Sequence, residues 1–100
     1  MSILKKLFSV GRASDAKEPL TEVYKGYTIR AMPEAAGDQY RLAGEITHQA
    51  ETGLLVRTFL RADLFPGREQ AEQFCLSKGR QIIDEQGERL FRDGSAQGRV

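Results

Sequence analysis

Apolar and polar residues alternate most cleanly over Gln39–His48. Tyr40, Leu42, Gly44 and Ile46 fall on one side, and Arg41, Ala43, Glu45 and Thr47 on the other. A period of two predicts a strand with one face on a core and one in water. Glu22–Met32 reads the same way. Val23, Tyr27, Ile29 and Ala31 oppose Tyr24, Thr28 and Arg30, and Gly26 marks a bulge or a close backbone approach. The third strand, Leu54–Arg61, is apolar on both sides. Leu54, Val56, Thr58 and Leu60 share one face, and Leu55, Arg57, Phe59 and Arg61 the other. Such a strand suits a central position whose second surface is covered, for instance by a partner chain. Pro33–Asp38 forms a turn around Gly37-Asp38. The short loop 49–53 predicts an antiparallel hairpin.

Beyond Arg61 the period changes. Pro66 cannot extend a strand ladder, and Gly67 is an acceptable helix N-cap to which Gln70 can return a bond. Glu69 and Glu72 suit the positive end of the helix dipole. Ala71, Phe74, Cys75, Lys78 (through its stem), Ile82 and Gln86 trace one stripe, and Gly79 beside it allows close approach to the sheet. Gly87 closes the helix, and Leu90 and Phe91 return as an apolar clasp.

The pattern therefore predicts an α+β fold: a three-stranded antiparallel sheet followed by one long helix packed on one face, in the order βββα. The expected core is Tyr27, Ile29, Tyr40, Leu42, Ile46, Phe74, Cys75, Ile82, Leu90 and Phe91. Residues 21–91 form the domain, residues 1–20 a short N-terminal amphipathic segment and linker, and residues 92–100 a disordered tail. Within the N-terminal segment Ile3, Leu4, Leu7 and Phe8 share one helical face opposite Lys5 and Lys6. That face can dock on a partner chain, fold onto the open sheet, lie on a membrane surface, or do nothing.

Composition narrows the picture. One hundred residues make one domain, and a core this small gains from dimerisation, so a homodimer is expected. The net charge is +1, with +2 over residues 1–20, −1 over 21–66 and zero over 67–100. This lacks the basic footprint of a dedicated nucleic-acid binder. Cys75 is the single cysteine, which fits a reducing compartment. There is no integral membrane segment, and MSILKKLFSV lacks the core of a signal peptide, so the cytoplasm is the expected location.

Candidate chemistry is sparse. His48 and Cys75 are the one pair resembling a base and a thiol nucleophile, but a cysteine on an apolar stripe usually packs as a small hydrophobe. One His and one Cys do not make a zinc site. Asp84, Glu85 and Glu88 read as a solvated face with Lys78, Arg80, Arg89 and Arg92. No catalytic residues, metal ligands, cofactor or small-molecule substrate are expected, and the chain reads as non-enzymatic. Four arginines on three strands offer the remaining site. Arg30 and Arg41 share the open face, and with Arg57 and Arg61 they would make a phosphate-contacting surface, Tyr24 adding stacking. Glu22 and Glu45 on that face dilute it, and an ordinary wet face with cross-strand ion pairs is the plainer reading.

The stretch FLRADLFPGREQAEQF, continuing into KGRQIIDEQGERLF, is similar to the HlyU family, small bacterial proteins described as transcriptional activators of haemolysin expression. MSILKKLF, YKGYTIR and QYRLAGEI resemble it as well, so the likeness covers nearly the whole chain. The resemblance implies a transcriptional regulator that contacts DNA. Three strands before one helix offer no helix-turn-helix, so no DNA-contacting residue carries over one by one. The second function consistent with the residues is a dimeric protein-interaction module without direct DNA binding.

Overall fold

The computed structural model describes residues 19–100. Six strands and one α-helix follow in order: β1 (Thr21–Tyr24), β2 (Tyr27–Ala31), β3 (Glu34–Ala36), β4 (Gln39–Ala50), β5 (Gly53–Phe65), α1 (Arg68–Gln86), a 3-10 turn over Gly87–Phe91, and β6 (Gln97–Arg99). They form a single sheet in the order β1-β2-β4-β5-β6, with β3 also paired to β4. All pairings are antiparallel except β5–β6, which is parallel. The α+β class and the helix packed on one face match the reading from sequence. The sheet has six strands rather than three.

Two additional strands come from tight hairpins. Lys25 and Gly26 both take positive φ, 52° and 85°, between the paired residues Tyr24 and Tyr27. This two-residue turn splits the expected strand Glu22–Met32 into β1 and β2, because its twist matches that of paired strands. The Gly37-Asp38 turn likewise links β3 to β4, pairing Ala36 with Gln39. The third additional strand, β6, lies in the segment expected to be disordered.

Folding back at Lys25 also reverses the faces of β1. Lateral pairing aligns Glu22, Ile29, Ile46 and Arg57 on the helix-covered side, and Val23, Thr28, Thr47 and Val56 on the other. Glu22 and Tyr24, expected on the open face, therefore bond to the helix, through Arg80 and Asp84 respectively. Val23, expected inward, is 75% exposed.

The helix begins after Gly67 without a side-chain cap, so the bond expected from Gln70 is absent; it ends at Gly87, whose N–H donates to the Ile83 carbonyl. It buries Ala71, Glu72, Cys75, Leu76, Gly79, Ile82 and Ile83. This face is wider than the predicted stripe and rotated toward Leu76 and Ile83. Of the expected core, Ile29, Leu42, Ile46, Cys75, Ile82, Leu90 and Phe91 are buried, together with Phe59. Tyr27 and Tyr40 are half-buried. Phe74 is 47% exposed and stacks on Phe65, with ring centroids 4.7 Å apart. The rotation carries it to the margin of the contact.

Gly79 sets the distance between helix and sheet. A Cβ there would lie 2.5 Å from Cγ2 of Ile29, a fully buried side chain at the centre of the core. The Gly79→Ala variant gains about 1 kcal/mol of helix propensity but overpacks the core, at a cost of about 1–3 kcal/mol. We expect net destabilisation, read as a lower midpoint of urea unfolding with an unchanged slope.

Candidate functional site

The four arginines do not converge. Arg57 follows Ile46 in lateral register and so points to the helix side, where it is only 4% exposed. A buried guanidinium is costly unless its donors are satisfied, and here they are. Nε donates to the Leu90 carbonyl at 2.9 Å, Nη1 to the carbonyls of Val56 (2.8 Å) and Ser95 (3.0 Å), and Nη2 to Asp93 Oδ1 at 2.8 Å. Its Cζ also lies 4.8 Å from the centroid of Phe91, within cation–π range. Phe91 belongs to a cluster with Tyr27 and His48, whose centroids lie 5.2–5.8 Å apart.

These bonds hold the tail. Asp93 accepts the backbone N–H of Ser95, making a local turn, and the chain then runs beside β5. Gly98 lies against Arg57; a Cβ would sit 3.1 Å from its Cδ and Nε. The disordered tail expected over 92–100 is thus corrected. One buried cation supplies donors to carbonyls that polar, apolar-poor sequence could not otherwise satisfy.

The remaining arginines sit apart. Arg30 pairs with Glu45 on the open face, Nη1 to Oε2 at 3.0 Å. Arg61 lies where the β4–β5 register shifts between Arg41 and Ala43, and its Nη1 donates to the Leu60 and Val100 carbonyls. Among the described residues Arg41 has no ion pair or side-chain hydrogen bond. Arg99, which the sequence reading passed over, joins the open face beside Thr58. Ile3, Leu4, Leu7 and Phe8 lie outside the described residues.

The other candidates separate too. His48 packs among Tyr27 and Phe91. Cys75 is fully buried, and burial pushes its thiol up, the opposite of nucleophilic activation. Asp84 binds Lys25 at 2.7 Å and the Tyr24 hydroxyl at 3.0 Å, contacts that hold its carboxyl below the usual range. Glu85 accepts from Gln81, so Asp84 and Glu85 are engaged in separate contacts. Among the described residues no three His, Cys, Asp or Glu side chains gather to hold a metal ion. No described helix is long and apolar enough to cross a membrane.

The sheet face that no described helix covers carries exposed apolar side chains among its polar ones. Val23, Met32, Leu54, Leu60 and Leu64 are all exposed. Charges on it are concentrated in one lateral row, Thr21–Arg30–Glu45–Thr58–Arg99, with Val23, Thr28, Thr47 and Val56 in the row beside it. A shallow hollow of about 180 Å³ opens between these rows, lined by Thr28, Arg30, Glu45, Thr47 and Leu54.

The family model described as transcriptional activator HlyU matches residues 2–91, nine-tenths of the chain. The chain belongs to the HlyU family. Comparison with curated proteins and with solved structures gives no match. The HlyU match takes in β1–β5, the helix and the 3-10 turn, and stops at Phe91, before the tail that Arg57 secures.

Two outcomes follow for the tail. Arg57→Met leaves the Leu90 and Ser95 carbonyls without their donor, costing about 2 kcal/mol, and the Gly98 and Val100 amides lose protection from hydrogen exchange. Asp93 responds to acid. The Ser95 N–H bond, with the Arg57 charge second, lowers its carboxyl pKa. That contribution is complete above the unfolded value of about 3.9 and is lost as pH falls through the lower folded value. NMR signals of the tail should shift below about pH 4, and Asp93→Asn should flatten that dependence.

Proposed function

We propose that this HlyU-family chain regulates transcription without catalysing a reaction, by docking protein on the helix-free face of its sheet. The observation that carries this reading is that Leu54, Leu60 and Leu64 stand exposed there, whereas the arginines proposed for phosphate contact are dispersed. Arg57 is spent on the tail and Arg30 on Glu45. Exposed apolar side chains gathered on one face mark protein contact, and the net charge of +1 gives no long-range pull on an anion.

The second reading is direct DNA contact through Arg41 and Arg99, with Arg30 and Arg61 assisting. It has the family description and two open-face guanidiniums in its favour. Glu34 faces Arg41 across the β3–β4 pair, and Glu45 stands in the Arg99 row, so acids interleave with the basic groups.

Fluorescence anisotropy with mixed-sequence duplex DNA separates the two. Protein docking predicts, near physiological salt, a dissociation constant weaker than about 100 μM, beyond the usual non-specific range. It also predicts that Arg41→Ala with Arg99→Ala leaves regulated transcript levels unchanged while Leu60→Arg alters them. Micromolar binding with a salt slope near four phosphates or more, abolished by the arginine variants, would establish the DNA reading instead.

A further inference from the structure

We infer that the helix-free face is covered by a second copy of this chain, in a two-fold dimer of four layers, helix–sheet–sheet–helix. The inference rests on the protein-docking reading above and names its partner. Three observations support it, and the second favours a second copy over a partner of one charge sign.

The first is size. The described residues form a slab with Cα extents of 40 × 36 × 20 Å. The short dimension accommodates one sheet and one helix about 10 Å apart, so the two long dimensions lie along the sheet. A stable interface needs about 800 Å² from each partner, and a face of this breadth can supply it.

The second is charge balance within the face. The row Arg30–Glu45–Thr58–Arg99 carries both signs, with Glu34 and Arg41 adjacent on β3 and β4. A surface of one sign selects an opposite partner. A surface with both signs in one row can be complementary to its own copy, because in an isologous contact each residue meets the partner's matching patch. With a net charge of +1, two copies approach without appreciable repulsion.

The third is the form of the apolar groups. Val56 is buried and Thr28 and Thr47 half-buried in one row, while Leu54, Leu60 and Leu64 in other rows of the face are exposed. Two sheets packed face to face interdigitate the side chains of their inner faces into a core about 10 Å thick. β5, apolar on both sides, then becomes a strand buried on both sides, between α1 and the second sheet.

Sedimentation velocity on the full chain, from about 1 to 200 μM, tests the inference; with a dissociation constant of about 10 μM both species are populated across that range. A monomer–dimer equilibrium is expected. Leu54→Arg and Leu60→Arg, each at an exposed side chain, should weaken it by about tenfold or more, since a two-fold interface carries every substitution twice. Circular dichroism and thermal melting of each variant verify folding. Should Leu60→Arg fail to fold, Leu54→Arg at the 52% exposed position stands in for it. A chain monomeric throughout that range, or a dimer insensitive to the variants that fold, overturns the inference. The transcript and anisotropy measurements are independent of this result: a monomer that still requires Leu60 for regulation would keep the docking reading and discard the second copy as the partner.

Discussion

The described structure turns on one buried guanidinium. Arg57 occupies a position on β5 that lateral pairing assigns to the core, beside Ile46 and between Leu55 and Phe59. Its partner Asp93 is exposed, with a side-chain accessibility of 72% against 5% for Arg57. The carboxylate is solvated, so its attraction for the cation is screened. Three backbone carbonyls, from Val56, Leu90 and Ser95, contribute most of the compensation. They come from β5, the 3-10 turn and the tail. One side chain thus joins three segments through their main-chain carbonyls.

The single helix imposes the other constraint. Nineteen residues of α1 cross a sheet that reaches five strands in width. Ile29, Ile46 and Phe59 find their contacts beneath it. No described helix covers the opposite face, where Leu54, Leu60 and Leu64 stand exposed among Arg30, Glu34, Arg41, Glu45 and Arg99. The second sheet layer proposed above would take those leucines out of water.

How much of this was legible depends on how far apart the interacting residues lie in sequence. The strict alternation of Tyr40, Leu42, Gly44 and Ile46 gave β4, and Pro66, Gly67 and Gly87 delimited α1, because these signals are local. Gly26 interrupts the strand pattern, but its role as the second residue of a hairpin turn requires φ > 0 at Lys25 as well, an unusual conformation for a residue with a side chain. That one turn inverted the faces of Glu22, Val23 and Tyr24. The alternation alone leaves the face of Arg57 open, since charge usually marks exposure. The contrary clue was its place in the Leu55–Arg57–Phe59 series, and only pairing with Ile46 decides between them. The tail was unreadable for the same reason: its order comes from donors on β5, not from apolar residues of its own. Asp93-Gly94-Ser95 carried a turn signal, but a turn alone does not fix a strand.

The parallel β5–β6 pair also orders events in time. Each hairpin, at Lys25-Gly26, Gly37-Asp38 and Glu51-Thr52, closes between residues three apart. Such loops form within microseconds. Val56 meets Gln97 only after the whole of α1 and the 3-10 turn have crossed the sheet, a closure with a larger entropic cost. The antiparallel ladder is therefore the part of the molecule that can assemble first, and β6 the last strand to join it. Before the tail docks, Arg57 has the Val56 carbonyl on its own strand and, once the 3-10 turn packs, the Leu90 carbonyl. The Ser95 and Asp93 contacts come only with the tail, so completing the guanidinium's bonds is coupled to docking of the final strand.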